Sequence, residues 1–310
     1  MGTVLLAEPR AFCAGVSRAV ATVERTLELH GAPVFVRREI VHNRHVVQRL
    51  RDLGAVFVAE VDEVPAGARL ILSAHGVSPQ VRQAANGNRL QVVDATCPLV
   101  TKVHREARRY ADEGYSILLI GQADHDEVIG TLGEAPDRIQ VVDHSTDIGA
   151  LHVPDPAKVV WLAQTTLVMS DTMRIVARLR TRFPHLIDPP SDDICYAAQN
   201  RQTAVSRLVE RADLVLVVGS ANSHNSRALV DVAAAAGKPA YLINDESDLR
   251  PQWLTGVKTL GLTGGASAPE SVIQSVLAAL VPYGFDHVDQ VTAATENQQF
   301  ALPRELEPDR

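Results

Sequence analysis

Cys13, Cys97 and Cys195 are the only cysteines in 310 residues, and each stands where an extended segment gives way to a helical pattern. The three segments read VLLAEPRAFCAGVSRAV, LQVVDATCPLVTKVHREARRY and DDICYAAQNRQTAVSRLVE. Thiolates are soft ligands, and three gathered at one point suit an iron–sulfur cluster or a zinc ion. Three protein ligands leave one metal position open, which is where chemistry takes place. The plain alternative is three buried thiols acting as small apolar side chains. The repeated strand–Cys–helix setting argues against it. A sparse, odd cysteine count behind an N-terminus without a leader pattern does not read as a disulfide framework, so a cytoplasmic protein is expected.

Other reactive groups gather at strand exits. His42, His75 and His125 follow apolar runs, and an imidazole there can serve as a loop cap, a zinc ligand or a cation for a phosphate. No HxxxH or CxxC spacing supports zinc. In GSANSHNS, Ser223, His224 and Asn225 precede a helix. In GGASAPE, Ser267 reads as a helix N-cap with Glu270 as its capping-box partner. Glycine-flanked helix starts of this kind also offer anion sites. Glu127, beside His125, is either a solvated loop acid or a general acid, and the like charge of Asp126 is expected to favour its protonated form. Thr165, ending VVWLAQTT, either relays a proton or caps the next helix.

The elements that must position these groups are strand-length apolar runs alternating with amphipathic helices, which implies α/β architecture with parallel sheets. Aligned on the cysteines, the chain divides into three pseudo-repeated units, 14–97, 98–194 and 195–283. The strand within 1–13 is expected to complete the third unit, and 284–310 to form one more strand and a tail. In parallel sheets ligands bind beyond the carboxyl ends of the strands, so one central pocket is the economical reading. Composition is 46% hydrophobic and 22% charged with a net charge of −7, which excludes a basic field for nucleic acid or an anionic membrane. No apolar run approaches the roughly 20 residues of a membrane span, and no GxGxxG or GxxxxGK[ST] supports a nicotinamide or ATP site.

These residues carry a resemblance. FCAGV at Cys13, VHN at His42, SAHGVSP at His75, DATCPLV at Cys97, QTTL at Thr165, DDICYA at Cys195, the NS-x-NS-like run at Ser223 and GASAP at Ser267 occur in this order. In them the chain resembles the 4-hydroxy-3-methylbut-2-enyl diphosphate reductase family of the methylerythritol phosphate route to isoprenoids. The resemblance implies a trefoil of three α/β units around one 4Fe–4S cluster per chain, held by Cys13, Cys97 and Cys195 with the fourth iron open to the substrate's hydroxyl group. It implies that His42, His75, His125, Ser223, Asn225 and Ser267 bind the diphosphate, with His224 in the place of a family serine as a further phosphate ligand, that Glu127 donates a proton, and that Thr165 both contacts the substrate and helps relay the proton. The implied reaction is a two-electron dehydroxylation giving isopentenyl and dimethylallyl diphosphates, with electrons from ferredoxin or flavodoxin. The chain departs from the family pattern at Asp126 (usually proline), Gln122 (commonly histidine) and His224 (usually serine). The rival readings are a zinc-dependent hydrolase of a phosphorylated metabolite and a non-catalytic iron–sulfur sensor on the same scaffold.

Overall fold

The computed structural model describes residues 2–190 and 193–306. Strand β1 (Gly2–Glu8) leads through Cys13 into helix α1 (Ala14–His30). Then β2 (Val34–Arg37), α2 (Arg44–Asp52), β3 (Ala55–Val58), β4 (Arg69–Leu72), α3 (Pro79–Gly87) and β5 (Gln91–Asp94) precede Cys97. Between Cys97 and Cys195 come α4 (Pro98–Asp112), β6 (Ser116–Ile120), α5 (Asp126–Leu132), β7 (Ile139–Val142), β8 (Val159–Ala163) and α6 (Met169–Arg182). After Cys195 follow α7 (Tyr196–Val209), β9 (Leu214–Val218), α8 (His224–Ala235), β10 (Ala240–Ile243), β11 (Thr259–Gly264), α9 (Glu270–Leu280) and β12 (Phe285–Thr292).

The strands form three parallel sheets, ordered β10-β9-β11-β1-β12, β3-β2-β4-β5 and β7-β6-β8. By compactness the chain divides into two units. One comprises Met1–Ser17, Val41–Arg49 and Tyr196–Gln299, and holds the five-stranded sheet. The other comprises Arg18–Ile40, Leu50–Cys195 and Phe300–Arg310, and holds the other two sheets.

Why these segments are strands follows from burial on both faces. In β1, Val4 and Leu6 enter one core with Leu214, Leu216 and Leu262, while Leu5 and Ala7 enter another with Val215 and Val217. Successive side chains point to opposite faces, so a strand covered on both sides must be apolar at every position. LVLVV in β9 and SILLI in β6 meet that demand and are buried throughout. In β6, Leu118 and Ile120 pack against α6, and Ile117 and Leu119 against α4. Each fully buried Leu or Ile contributes about 1.5–3 kcal/mol. Helix α4 shows the matching period, burying Val100, Val103, Ala107 and Tyr110, with Pro98 opening its first turn.

Three expectations about local structure are corrected. Cys13 lies beyond four irregular residues after β1 rather than at a strand end. Of DDIC, Asp192 lies outside the described residues, and Asp193 and Ile194 form a bend rather than a strand. Ser267 does not cap α9: that helix begins at Glu270 with Pro269 in the cap position, and Glu270 pairs with Arg10 at 2.7 Å. In the C-terminal segment, the Ala301 carbonyl accepts from Arg18 at 2.7 Å and Leu306 is buried. No helix among the described residues is long and apolar enough to cross a membrane.

The first turn of α8 packs directly on two glycines. A Cβ at Gly219 or at Gly265 would lie 2.1 Å from Ser226 Oγ. Gly219→Ala should therefore cost about 1–3 kcal/mol through forced displacement of α8. Chemical denaturation would read this as a lowered midpoint, and an unchanged midpoint would contradict the packing described.

Candidate active site

Each cysteine is placed by the same backbone contact. The Cys13 N–H donates to Ala266 O at 3.2 Å, Cys97 N–H to Ala74 O at 3.0 Å and Cys195 N–H to Thr165 O at 3.0 Å. Every one of those carbonyls lies two residues beyond the end of a strand: β11, β4 and β8 respectively. No disulfide joins any of the three, and all are partly exposed. Each stands immediately before a helix, α1, α4 and α7 respectively. Cysteines outside any disulfide are the donor type that an iron–sulfur cluster requires.

In the unit built on the two smaller sheets, the acid is set by the outer edge of β8. Strand β6 takes the inner edge, where Gln164 N–H donates to Ile120 O at 2.9 Å. On the outer edge Trp161 N–H donates to Ile187 O at 3.3 Å, Ala163 N–H to Asp193 Oδ2 at 3.0 Å and Thr165 N–H to Glu127 Oε1 at 2.7 Å. Two carboxylates thus accept from successive outward N–H groups, satisfying an edge that would otherwise be unpaired. Thr165 Oγ lies 3.1 Å from Glu127 Oε2. Because Oε1 is occupied by an N–H donor, a proton on Glu127 belongs on Oε2, facing the Thr165 hydroxyl. Thr165 therefore does not cap α6, which has Val168 in that position.

Burial pushes the Glu127 carboxyl up to about 7, against the two hydrogen bonds from Thr165 and with a further push from the charge of Asp193. Asp193 is likewise raised to about 7 by burial, with Lys102 at 3.2 Å and the Ala163 N–H opposing and Glu106 adding to the rise. The expected part played by Asp126 is corrected. Its carboxylate pairs with Arg38, which also holds Glu60 at 3.0 Å, and the carboxylate acting on Glu127 is Asp193. Neighbours in sequence are on different sides of the α5 turn, and salt bridging neutralises the nearer one.

His125 caps α5 by accepting the Glu127 N–H on Nδ1 at 3.2 Å. That contact puts the proton of the neutral imidazole on Nε2, making the far side of the ring a donor. The His75 ring meets it edge-on with centroids 5.7 Å apart, and Ser73 Oγ lies 3.4 Å from His75 Nδ1. The backbone N–H of Gln122 donates to Gln164 Oε1 at 3.1 Å.

In the unit built on the five-stranded sheet, the hydroxyl and amide groups meet. Ser223 caps α8 through the Ser226 N–H at 3.3 Å, and its Oγ lies 3.4 Å from Ser267 Oγ. Ser267 donates to His42 O at 2.9 Å, a tertiary acceptor that replaces the local capping box. Asn225 Oδ1 accepts the Ala266 N–H at 2.7 Å, while Asn225 Nδ2 is buried with no partner among the described residues. An orphaned buried donor carries a cost of about 1–3 kcal/mol unless a ligand accepts from it. His224 is the first residue of α8, half-buried beside Ser223.

The geometry groups Cys97, Cys195, Glu127, Thr165, His75 and His125 in one unit, and Cys13, His42, Ser223, His224, Asn225 and Ser267 in the other. Sequence reasoning did not single out Asp193, Gln164 or Arg38. For Asp193 a signal existed, as an acid two residues before a cysteine, but its target at Ala163 is not visible in one dimension.

Parallel sheets flanked by helices, with cysteines and a buried carboxyl beyond their strand ends, define an α/β enzyme. The LytB protein family model matches residues 4–281, and the chain belongs to that family. The 4-hydroxy-3-methylbut-2-enyl diphosphate reductase of Rhodococcus opacus (strain B4) is 59% identical over 304 residues, 98% of this chain and 90% of that one. The solved E-1-hydroxy-2-methyl-but-2-enyl-4-diphosphate reductase from Plasmodium falciparum superposes with a TM-score of 0.95 at 42% identity, covering 98% of this chain and 96% of that chain. A second solved structure, described as (E)-4-hydroxy-3-methyl-but-2-enyl diphosphate reductase, the terminal enzyme of the non-mevalonate pathway, gives 0.64 at 32% identity over 91% of this chain and all of that one.

A carboxyl raised by burial from 4.5 to about 7 costs the fold stability as pH rises from about 4.5, where the unfolded chain ionises, to about 7, where the folded one does, and nothing further is lost above that. Glu127→Gln retains both Thr165 contacts without that cost. It should match the parent at about pH 4 and exceed it by up to about 3 kcal/mol at about pH 8.5. Urea midpoints at the two pH values test this, and a difference independent of pH would refute the burial argument.

Proposed function

We propose that this chain reduces (E)-4-hydroxy-3-methylbut-2-enyl diphosphate to isopentenyl and dimethylallyl diphosphates, as its relatives' names describe. The observation that carries the reading is the buried Glu127, still protonated near neutrality, with its Oε2 against the Thr165 hydroxyl. Cys13, Cys97 and Cys195 would hold one 4Fe–4S cluster. When bound, that group supplies two electrons singly and Lewis acidity at the substrate's hydroxyl oxygen.

The chain's own residues do the rest. Glu127 gives its proton through Thr165 to the departing hydroxyl, so the carbon–oxygen bond breaks with release of water rather than hydroxide. Two electrons and one further proton then complete a carbon–hydrogen bond at either end of the allylic unit, which accounts for two products. His42, His75, His125, Ser223, His224, Asn225 and Ser267 would orient the diphosphate. Their donors are neutral or weakly cationic, and the orphaned Asn225 Nδ2 is the kind of group an acceptor-rich phosphate would satisfy. We assign the electron donor to the ferredoxin or flavodoxin class and the location to the cytoplasm. The three pseudo-repeated units bounded at Cys97 and Cys195, the third completed by the N-terminal strand, are supported by the shared cysteine–carbonyl contact.

Anaerobic reconstitution should give a brown protein that turns over the allylic diphosphate with a low-potential reductant. A colourless zinc protein would exclude the reductase, and a brown protein without turnover would favour a sensor. Glu127→Gln should lower kcat by about 10²–10⁴ while iron content stays unchanged. Retained turnover would remove Glu127 as the acid. In His224→Ser, substrate affinity should lose part of its pH dependence, and superimposable pH profiles would dismiss His224 as a titrating cation at the diphosphate.

A further inference from the structure

Arg201, in α7, is fully buried, and no step of the reaction uses it. A buried guanidinium needs acceptors for its N–H groups and a counter-charge. Nε and Nη2 donate to Ala11 O at 3.1 and 2.8 Å, Nη2 also reaches Arg10 O at 3.4 Å, and Nη1 donates to Ala197 O at 2.9 Å. The charge is met by Glu296, whose Oε1 and Oε2 lie 3.0 and 3.3 Å from Nη1. Asn200 Nδ2 holds Glu296 Oε1 at 3.0 Å. One cation therefore joins the turn before Cys13, the helix after Cys195 and the segment after β12.

The turn it grips is strained. Ala11 has φ +58°, the left-handed region that a residue with a Cβ rarely adopts. Two charge-assisted hydrogen bonds on its carbonyl hold that peptide in place. Two residues later the Cys13 N–H meets Ala266 O. On its other side the turn is tied by Arg10, which donates to Ala7 O at 3.1 Å and pairs with Glu270. Opening the Arg201 contact would leave the turn attached but free to relax.

We infer that Arg201 and Glu296 are positioning residues, a latch by which the segment after β12 fixes the Cys13 turn so that its thiol is presented in one orientation. Positioning of Cys13 stands on the geometry alone, and its consequence for metal binding rests on the cluster reading above.

The test is iodoacetamide alkylation of the metal-free chain, quantified at each cysteine by peptide mass spectrometry. Glu296→Ala should speed alkylation at Cys13 about fivefold or more, with Cys97 and Cys195 within about twofold of the parent. Glu296→Gln keeps an acceptor oxygen and should fall between, and it serves where Glu296→Ala does not fold. Arg201→Met combined with Glu296→Gln removes the buried charge, so its thermal midpoint should recover relative to Glu296→Ala. Cys13 should nevertheless stay exposed in it, because the Ala11 carbonyl has lost its donors. Equal acceleration at all three thiols, or Cys13 protection that simply follows the thermal midpoint across the series, would overturn the latch. In anaerobically reconstituted protein, a chelator should extract iron faster from Glu296→Ala than from the parent. Selective Cys13 exposure with unchanged iron release would uphold the latch and count against Cys13 as a ligand.

Discussion

The peptide of Thr165 is the point on which the acid half of the site turns. Its N–H holds one oxygen of Glu127, its hydroxyl faces the other, and its carbonyl accepts the Cys195 N–H. The Glu127 carboxyl, the Thr165 hydroxyl and the Cys195 backbone are thereby set by a single residue at the end of a buried strand. The strand itself is fixed by VVWLA packing on both faces, so the site inherits the rigidity of the core. An exposed carboxyl in a loop would ionise near its ordinary value and have no proton to give at neutrality. Burial changes that, and burial is possible because a backbone N–H and a hydroxyl satisfy both oxygens.

The same device recurs with different chemistry. A carbonyl two residues past a strand end receives the N–H of each cysteine, and a polar side chain stands at or beside that carbonyl: Ser267 beside Ala266, His75 beside Ala74, and Thr165 itself. A short turn that must return its carbonyl to a neighbouring segment leaves its side chains little choice of direction. Repeating the turn therefore repeats the delivery of polar groups, whatever their type.

Much of this was legible in the sequence. Apolar runs of strand length, the thiols at helix starts and the histidines at strand exits all follow from local pattern. Glu127 was legible as an acid, yet its cause was not. Asp126 is adjacent in sequence but spends its charge on Arg38, whereas Asp193 acts from 66 positions away through the edge of β8. Ser267 misleads for a related reason. Its spacing to Glu270 satisfies a local capping rule, but the His42 carbonyl and Arg10 offer tertiary partners, and Pro269 takes the cap position. Arg201 and Glu296 had no signal at all, since nothing in an amphipathic helix or a polar tail says that the two meet.

An acidic chain that is to hold an anion must gain affinity from placement rather than net charge. The arginines at the strand exits do not serve as free cations. Arg37 and Arg38 hold Glu60, Arg38 also holds Asp126, and Arg44 holds Asp245, whose carboxyl is lowered to about 2 against burial by Ser247 and Arg44. Their charge stiffens the turns from which serine, asparagine and histidine donors project. Buried neutral donors lose little to salt screening, whereas a surface field of lysines would be screened within about 8 Å at physiological ionic strength. Donors so placed select by geometry rather than by field strength, and within each unit the turns that carry them also hold a cysteine N–H.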